Sequence, residues 1–114
     1  MHSSPIIIAG GGIAGLASAL ALGSRDVVLL EQAPEFSSLG AGLQLGPNAV
    51  RALQNLGAWD AVEPITSSPP EIHVRDGITG KLLKRLNLGK SFETRFGAPY
   101  RVAHRADLHR ALLE

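Results

Sequence analysis

The sequence predicts an α/β fold, and two observations carry that prediction. A glycine turn, Gly10-x-Gly12-x-x-Gly15, follows the β-branched run Ile6, Ile7 and Ile8 and precedes apolar residues at helical spacing. A second branched run, Asp26 to Leu30, then closes on an acid, Glu31. Strand, tight turn, helix, strand is the order of a parallel βαβ unit.

Composition sets the bounds. The chain has 114 residues, at most one domain, with 45% apolar residues and a net charge of +1. That charge gives no electrostatic footing for nucleic acid or membrane binding. No cysteine occurs, which removes disulfides and thiolate metal sites and fits a reducing cytoplasm. The end, "HRADLHRALLE", is a helix with Leu108, Ala111 and Leu112 at apolar spacing and no stop signal. It predicts that residues 1–114 are the N-terminal part of something longer.

The first strand needs a decision, because no Lys, Arg, Asp or Glu precedes Arg25. A secretory signal needs a basic residue before its apolar core, and only His2 is there. A transmembrane helix is the better rival. It fails at Gly10 to Gly12, where each glycine would cost about 1 kcal/mol in an aqueous helix. With a break there, Ile6 to Ile8 read as a short strand covered on both faces. Ile13, Leu16, Ala17 and Leu20 form the helix, and Gly23 falls at its C-cap.

Each glycine of the motif has its own task. Gly10 permits the tight turn, Gly12 lets a pyrophosphate approach the backbone, and Gly15 lets helix and strand pack closely. Amides at the helix start, including those of Ile13 and Ala14, then face the phosphates, where the dipole favours negative charge. Glu31 ends the second strand about 20 residues further on, where a carboxylate accepts from ribose hydroxyls. Together these predict a Rossmann-like dinucleotide site. A carboxylate at Glu31 repels a ribose 2′-phosphate, which leaves NAD or FAD.

The rest of the chain bears on that choice. The stretch Phe36 to Val62 is turn-rich at first, with three glycines between Gly40 and Gly46. Such backbone can lie flat against a planar ligand, or be a plain loop. Pro47 then opens a helix carrying Val50, Leu53 and Leu56, and Gly57 ends it. "SSPP" breaks the chain at 67–70, and "EIHVRDGITGKLLKRLNLG" reads as two strands joined around Asp76-Gly77 and Gly80. A simple NAD-dependent dehydrogenase would more often continue with alternating strand and helix. The inserted β-hairpin therefore tilts the reading toward FAD.

Here the residues resemble a known family. "GGGIAGL" with "LLEQA", then "LGAGLQLGPNAVRALQNLG", then "PYRVAHRADLHRALL" are similar to the FAD-dependent aromatic hydroxylases, of the salicylate and 3-hydroxybenzoate 6-hydroxylase type. The likeness runs from Pro5 to Glu114. It implies the N-terminal part of the FAD-binding domain of a larger two-domain fold, with the later FAD motifs and the substrate domain outside these residues. Gly10, Gly12, Ile13, Ala14 and Gly15 match the FAD pyrophosphate loop, and Glu31 matches the acid on the adenosine ribose. Gln32 stands where the family often has Arg or Lys. Gly40, Ala41, Gly42, Leu43 and Gln44 match the loop near the flavin ring. Gln44 stands where some relatives carry a His proposed to act on substrate, so no catalytic residue is assigned. Arg105 matches the Arg turned toward the cofactor. The exit from the first helix, "LGSRDV", is slightly shorter than in relatives. The resemblance further implies NADH or NADPH as reductant, O₂, and a small aromatic acid as substrate. The alternatives are a fragment of an NAD-dependent dehydrogenase and a truncated, non-catalytic nucleotide-binding product.

The remaining polar residues read as ordinary. His104 and His109 lie five apart, wrong for a shared helical metal face. His73 alternates with Ile72 and Val74 and reads as the solvent face of a strand. Arg95, Arg101, Arg105 and Arg110 read as a solvated basic face rather than a nucleic-acid surface. Trp59 follows a helix end and reads as packing.

Overall fold

In the computed structural model of the protein, the described residues are 4–33 and 41–113. The chain opens with strand β1 (Ile6–Ala9), helix α1 (Ile13–Leu22) and strand β2 (Val27–Leu30). β1 and β2 pair in parallel, Ile6 opposite Val27 through Ala9 opposite Leu30, so the βαβ unit is present. Gly23 closes α1 at φ 34°, a positive value that glycine adopts without penalty, and its N–H bonds back to Ala19 and Leu20.

β3 (Gly42–Leu45) leads into α2 (Pro47–Asn55), which starts on Pro47 as expected. Val50 and Leu53 lie on its buried face, and Gly57 turns the chain at φ 73°. A short helix α3 (Trp59–Val62) and a 3₁₀ turn (Glu63–Ile65) follow. β4 (Glu71–Arg75) and β5 (Leu82–Asn87) form the expected antiparallel hairpin. The Asp76 carboxylate accepts from the N–H groups of Ile78 and Thr79 and so shapes its turn. Helix α4 (Lys90–Phe96), strand β6 (Arg101–His104) and helix α5 (Arg105–Leu113) complete the chain.

One apolar core ties the pieces together. Leu16 from α1, Val50 and Leu53 from α2, Val62 from α3, Ala103 from β6, and Leu108 and Leu112 from α5 share it. Among the described residues no helix is long and apolar enough to cross a membrane.

Three expectations are corrected. β1 and β2 are not covered on both faces: Ile7 is 64% exposed and Leu30 55%. Alternate residues of each strand are half-buried, Leu29 against the core, while Ile7, Val28 and Leu30 stay exposed on the other face. The radius of gyration, 17.6 Å, agrees; a closed domain of this length would have about 13 Å. Second, part of the glycine-rich stretch is not loop. Gly42 to Leu45 is a strand, paired antiparallel with β6, Gly42 opposite His104 and Leu45 opposite Arg101; Gly40 lies outside the described residues. Third, Arg101 is not simply solvated. Its guanidinium lies 5.9 Å from the Trp59 ring centroid and donates to Thr66 Oγ1 at 3.3 Å. Trp59 is packed, as its position suggested.

Candidate functional site

The glycine turn is built by backbone alone. Gly10 has φ 115°, in the region closed to most side chains, and its N–H bonds to the Leu30 carbonyl at 2.7 Å. That bond fixes the turn against the end of β2, next to Glu31. Gly15 packs so closely that a Cβ there would collide with the Gly10 carbonyl oxygen, while a Cβ at Gly12 would meet nothing within 4 Å. The two glycines therefore differ in kind. Gly15 is a packing requirement, and Gly12 guards open space.

That open space lies at the start of α1. The first intrahelical bond runs from Leu16 N–H to the Gly12 carbonyl at 2.9 Å. The amides of Ile13, Ala14 and Gly15 thus have no acceptor within the helix. No acidic side chain occupies the first turn and Gly12 makes no side-chain cap. Beside this end lies a cleft of about 470 Å³, lined by Ala9, Gly10, Leu30, Glu31 and Gln32. Bare amides, a positive helix end and an exposed carboxylate at one lip suit a phosphate flanked by a sugar with free hydroxyls. A dinucleotide fits these residues. Among the described residues no cluster of three or more metal-ligating side chains occurs.

The second half of the expected site is assembled by strand pairing. Gly42, Leu43 and Gln44 lie on β3, opposite His104, Ala103 and Val102 of β6. The Arg105 N–H extends the ladder to the Ala41 carbonyl at 3.0 Å. The fold therefore brings Arg105 to the residues expected near the flavin. A smaller cleft of about 270 Å³ flanks this pair, lined by Gly42, Ile65, Ser67, Val102, Ala103 and His104.

One contact was missed from sequence. His109 Nε2 lies 2.6 Å from the Gly11 carbonyl oxygen, joining α5 to the glycine turn. The available signal was its spacing: His109 is four residues after Arg105 and so shares its helix face.

A family model described as "FAD binding domain" matches residues 3–111. The chain belongs to this FAD-binding domain family. The family assignment agrees with the cleft and glycine turn. Among curated relatives, the 3-hydroxybenzoate 6-hydroxylase of Polaromonas naphthalenivorans (strain CJ2) is 48% identical over 112 residues, covering 96% of this chain and 28% of the relative. The 3-amino-4-hydroxybenzoate 2-monooxygenase PtnB3 of Streptomyces platensis is 44% identical, covering 99% of this chain and 29% of the relative. Among solved structures, Klebsiella pneumoniae HpxO complexed with FAD and uric acid superposes with a TM-score of 0.80 at 28% identity, over 96% of this chain and 28% of that one. The oxygenase of 2-methyl-3-hydroxypyridine-5-carboxylic acid gives a TM-score of 0.81 at 33% identity, over 99% of this chain and 29% of that one. The chain thus spans less than a third of the length of these relatives.

Proposed function

We propose that this FAD-binding chain is the cofactor-holding portion of an NAD(P)H-dependent monooxygenase that hydroxylates a small aromatic acid such as a hydroxybenzoate. The observation that carries the reading is the paired glycine geometry. Gly15 seals the turn against Gly10, and Gly12 leaves its flank open at the head of α1. The likeness to the Polaromonas and Streptomyces enzymes supports the reaction class.

In this reading the N–H groups of Gly12, Ile13, Ala14 and Gly15 bind the pyrophosphate, with Gly10 making the turn. The Glu31 carboxylate accepts from the adenosine ribose, and Gln32 borders the adenine end. Gly42, Leu43 and Gln44 present backbone and a neutral amide along the flavin ring. Arg105, anchored through its N–H on Ala41, turns its guanidinium toward the cofactor. The flavin supplies the redox chemistry with O₂. These residues bind and orient it, and no residue here is assigned as the substrate's base.

The test is direct. Purified protein is expected to carry flavin absorbance after reconstitution with FAD, and to bind NAD⁺ far more weakly. Extended to the full length of its relatives, the enzyme consumes NADH or NADPH in response to an aromatic acid and releases hydroxylated product. A protein that binds NAD⁺ but not FAD would be a dehydrogenase portion instead.

A further inference from the structure

The Gly11 carbonyl is the least expected acceptor in the molecule. It lies in the glycine turn, one residue ahead of the first carbonyl used by the α1 ladder. Gly11 itself is buried. Its partner is the His109 imidazole, 98 residues away, with Nε2 at 2.6 Å. His109 is held in place by its own helix. Leu108 and Leu112 of α5 enter the same core as Leu16 of α1, which fixes the two helices against each other.

A trans peptide unit points its C=O and N–H in opposite directions. Holding the Gly11 carbonyl toward α5 therefore aims the Gly12 N–H the other way, away from α5. Two adjacent glycines make this orientation vulnerable. With no Cβ on either side, the Gly11–Gly12 peptide can flip at little steric cost. Flipped, it would present a carbonyl oxygen to an incoming diphosphate and turn an N–H toward His109, which can accept it only if Nε2 carries no proton.

We infer that His109 is a positioning residue for the dinucleotide site: by donating from Nε2–H to the Gly11 carbonyl, it locks the Gly11–Gly12 peptide with its amide facing the pyrophosphate. This rests on the proposed reading of the turn as the pyrophosphate site. His109 does not touch the cofactor. It acts through one peptide plane and stiffens a turn that glycine makes soft.

The test measures dissociation constants for FAD and for ADP, by flavin fluorescence quenching and calorimetry, in the wild type and two variants. His109→Ala is expected to weaken both ligands by roughly tenfold, the scale of one lost orienting hydrogen bond. His109→Gln, whose side-chain amide can donate in place of Nε2–H, is expected to recover most of the loss. A variant with wild-type affinity at Ala, or a Gln variant as weak as Ala, overturns the proposal while leaving the site reading intact. Wild-type protein that binds neither ligand overturns both. Should His109→Ala fail to fold, nitrogen NMR of the wild type decides: a proton must be found on Nε2, and a proton confined to Nδ1 refutes the lock.

Discussion

Gly15→Ala separates packing from binding in the glycine turn. The added methyl would stand 3.1 Å from the Gly10 carbonyl carbon, closer still to its oxygen, and 3.5 Å from Ile8 Cγ2. Ordinary contacts between carbon atoms begin near ~3.5 Å, so turn and helix must separate by on the order of 1 Å. Gly10 cannot simply retreat, because its N–H is tied to Leu30. Alanine gains about 1 kcal/mol over glycine as a helix former, but overpacking costs about 1–3 kcal/mol. The net expectation is a loss of about 1 kcal/mol in stability. Displaced amides lose charge-assisted bonds worth about 1.5–3 kcal/mol, so FAD should bind roughly 10 to 100 times more weakly. Gly12→Ala is the matched comparison. Its φ of −75° suits alanine and no atom lies within 4 Å, so stability should hold while the methyl blocks the phosphate. Urea unfolding followed by circular dichroism gives the first quantity, and FAD titration gives the second. If Gly15→Ala kept both its unfolding midpoint and its FAD affinity, the close approach would have no role. If Gly12→Ala bound FAD normally, the open flank would not be the phosphate site.

Other perturbations test separate parts. Glu31→Gln is expected to weaken FAD by roughly tenfold, by losing a charged acceptor for the ribose; because the side chain is exposed, the urea midpoint should stay unchanged. Val50→Ala, at a fully buried position, should cost about 2 kcal/mol in urea unfolding without a specific effect on binding. Asp76 is held below its ordinary carboxylate value by the N–H groups of Thr79 and Ile78. A depressed folded value means that its contribution is present above the unfolded value and is lost as pH falls through the folded one. The hairpin turn should therefore loosen on acidification, and Asp76→Asn should remove that part of the pH dependence in hydrogen exchange of the Ile78 and Thr79 amides.

How far sequence reached depends on the range of each interaction. α1, α2 and the β4–β5 hairpin were legible because glycine caps, Pro47, apolar spacing and the Asp76 turn are local signals. β3 was only half legible. Three glycines argue for loop, and what makes Gly42 to Leu45 a strand is pairing with β6 across the core. The polar neighbourhood of Arg101 was hidden for the same reason, since Trp59 and Thr66 come from distant sequence. The open face of β1 and β2 was misread because a branched apolar run specifies burial, without saying which part of the polypeptide provides it.

The amino-acid order alone determined a dinucleotide-type βαβ unit and the acid at its lip. Backbone freedom at Gly10, Gly12 and Gly15, and the spacing of the apolar residues around them, are properties of contiguous chain. Tertiary structure decided which surfaces meet: β3 against β6, Arg105 beside Ala41, and His109 on the Gly11 carbonyl. Those contacts close long loops, so they form only when the shared core of α1, α2 and α5 repays the entropy of bringing distant segments together.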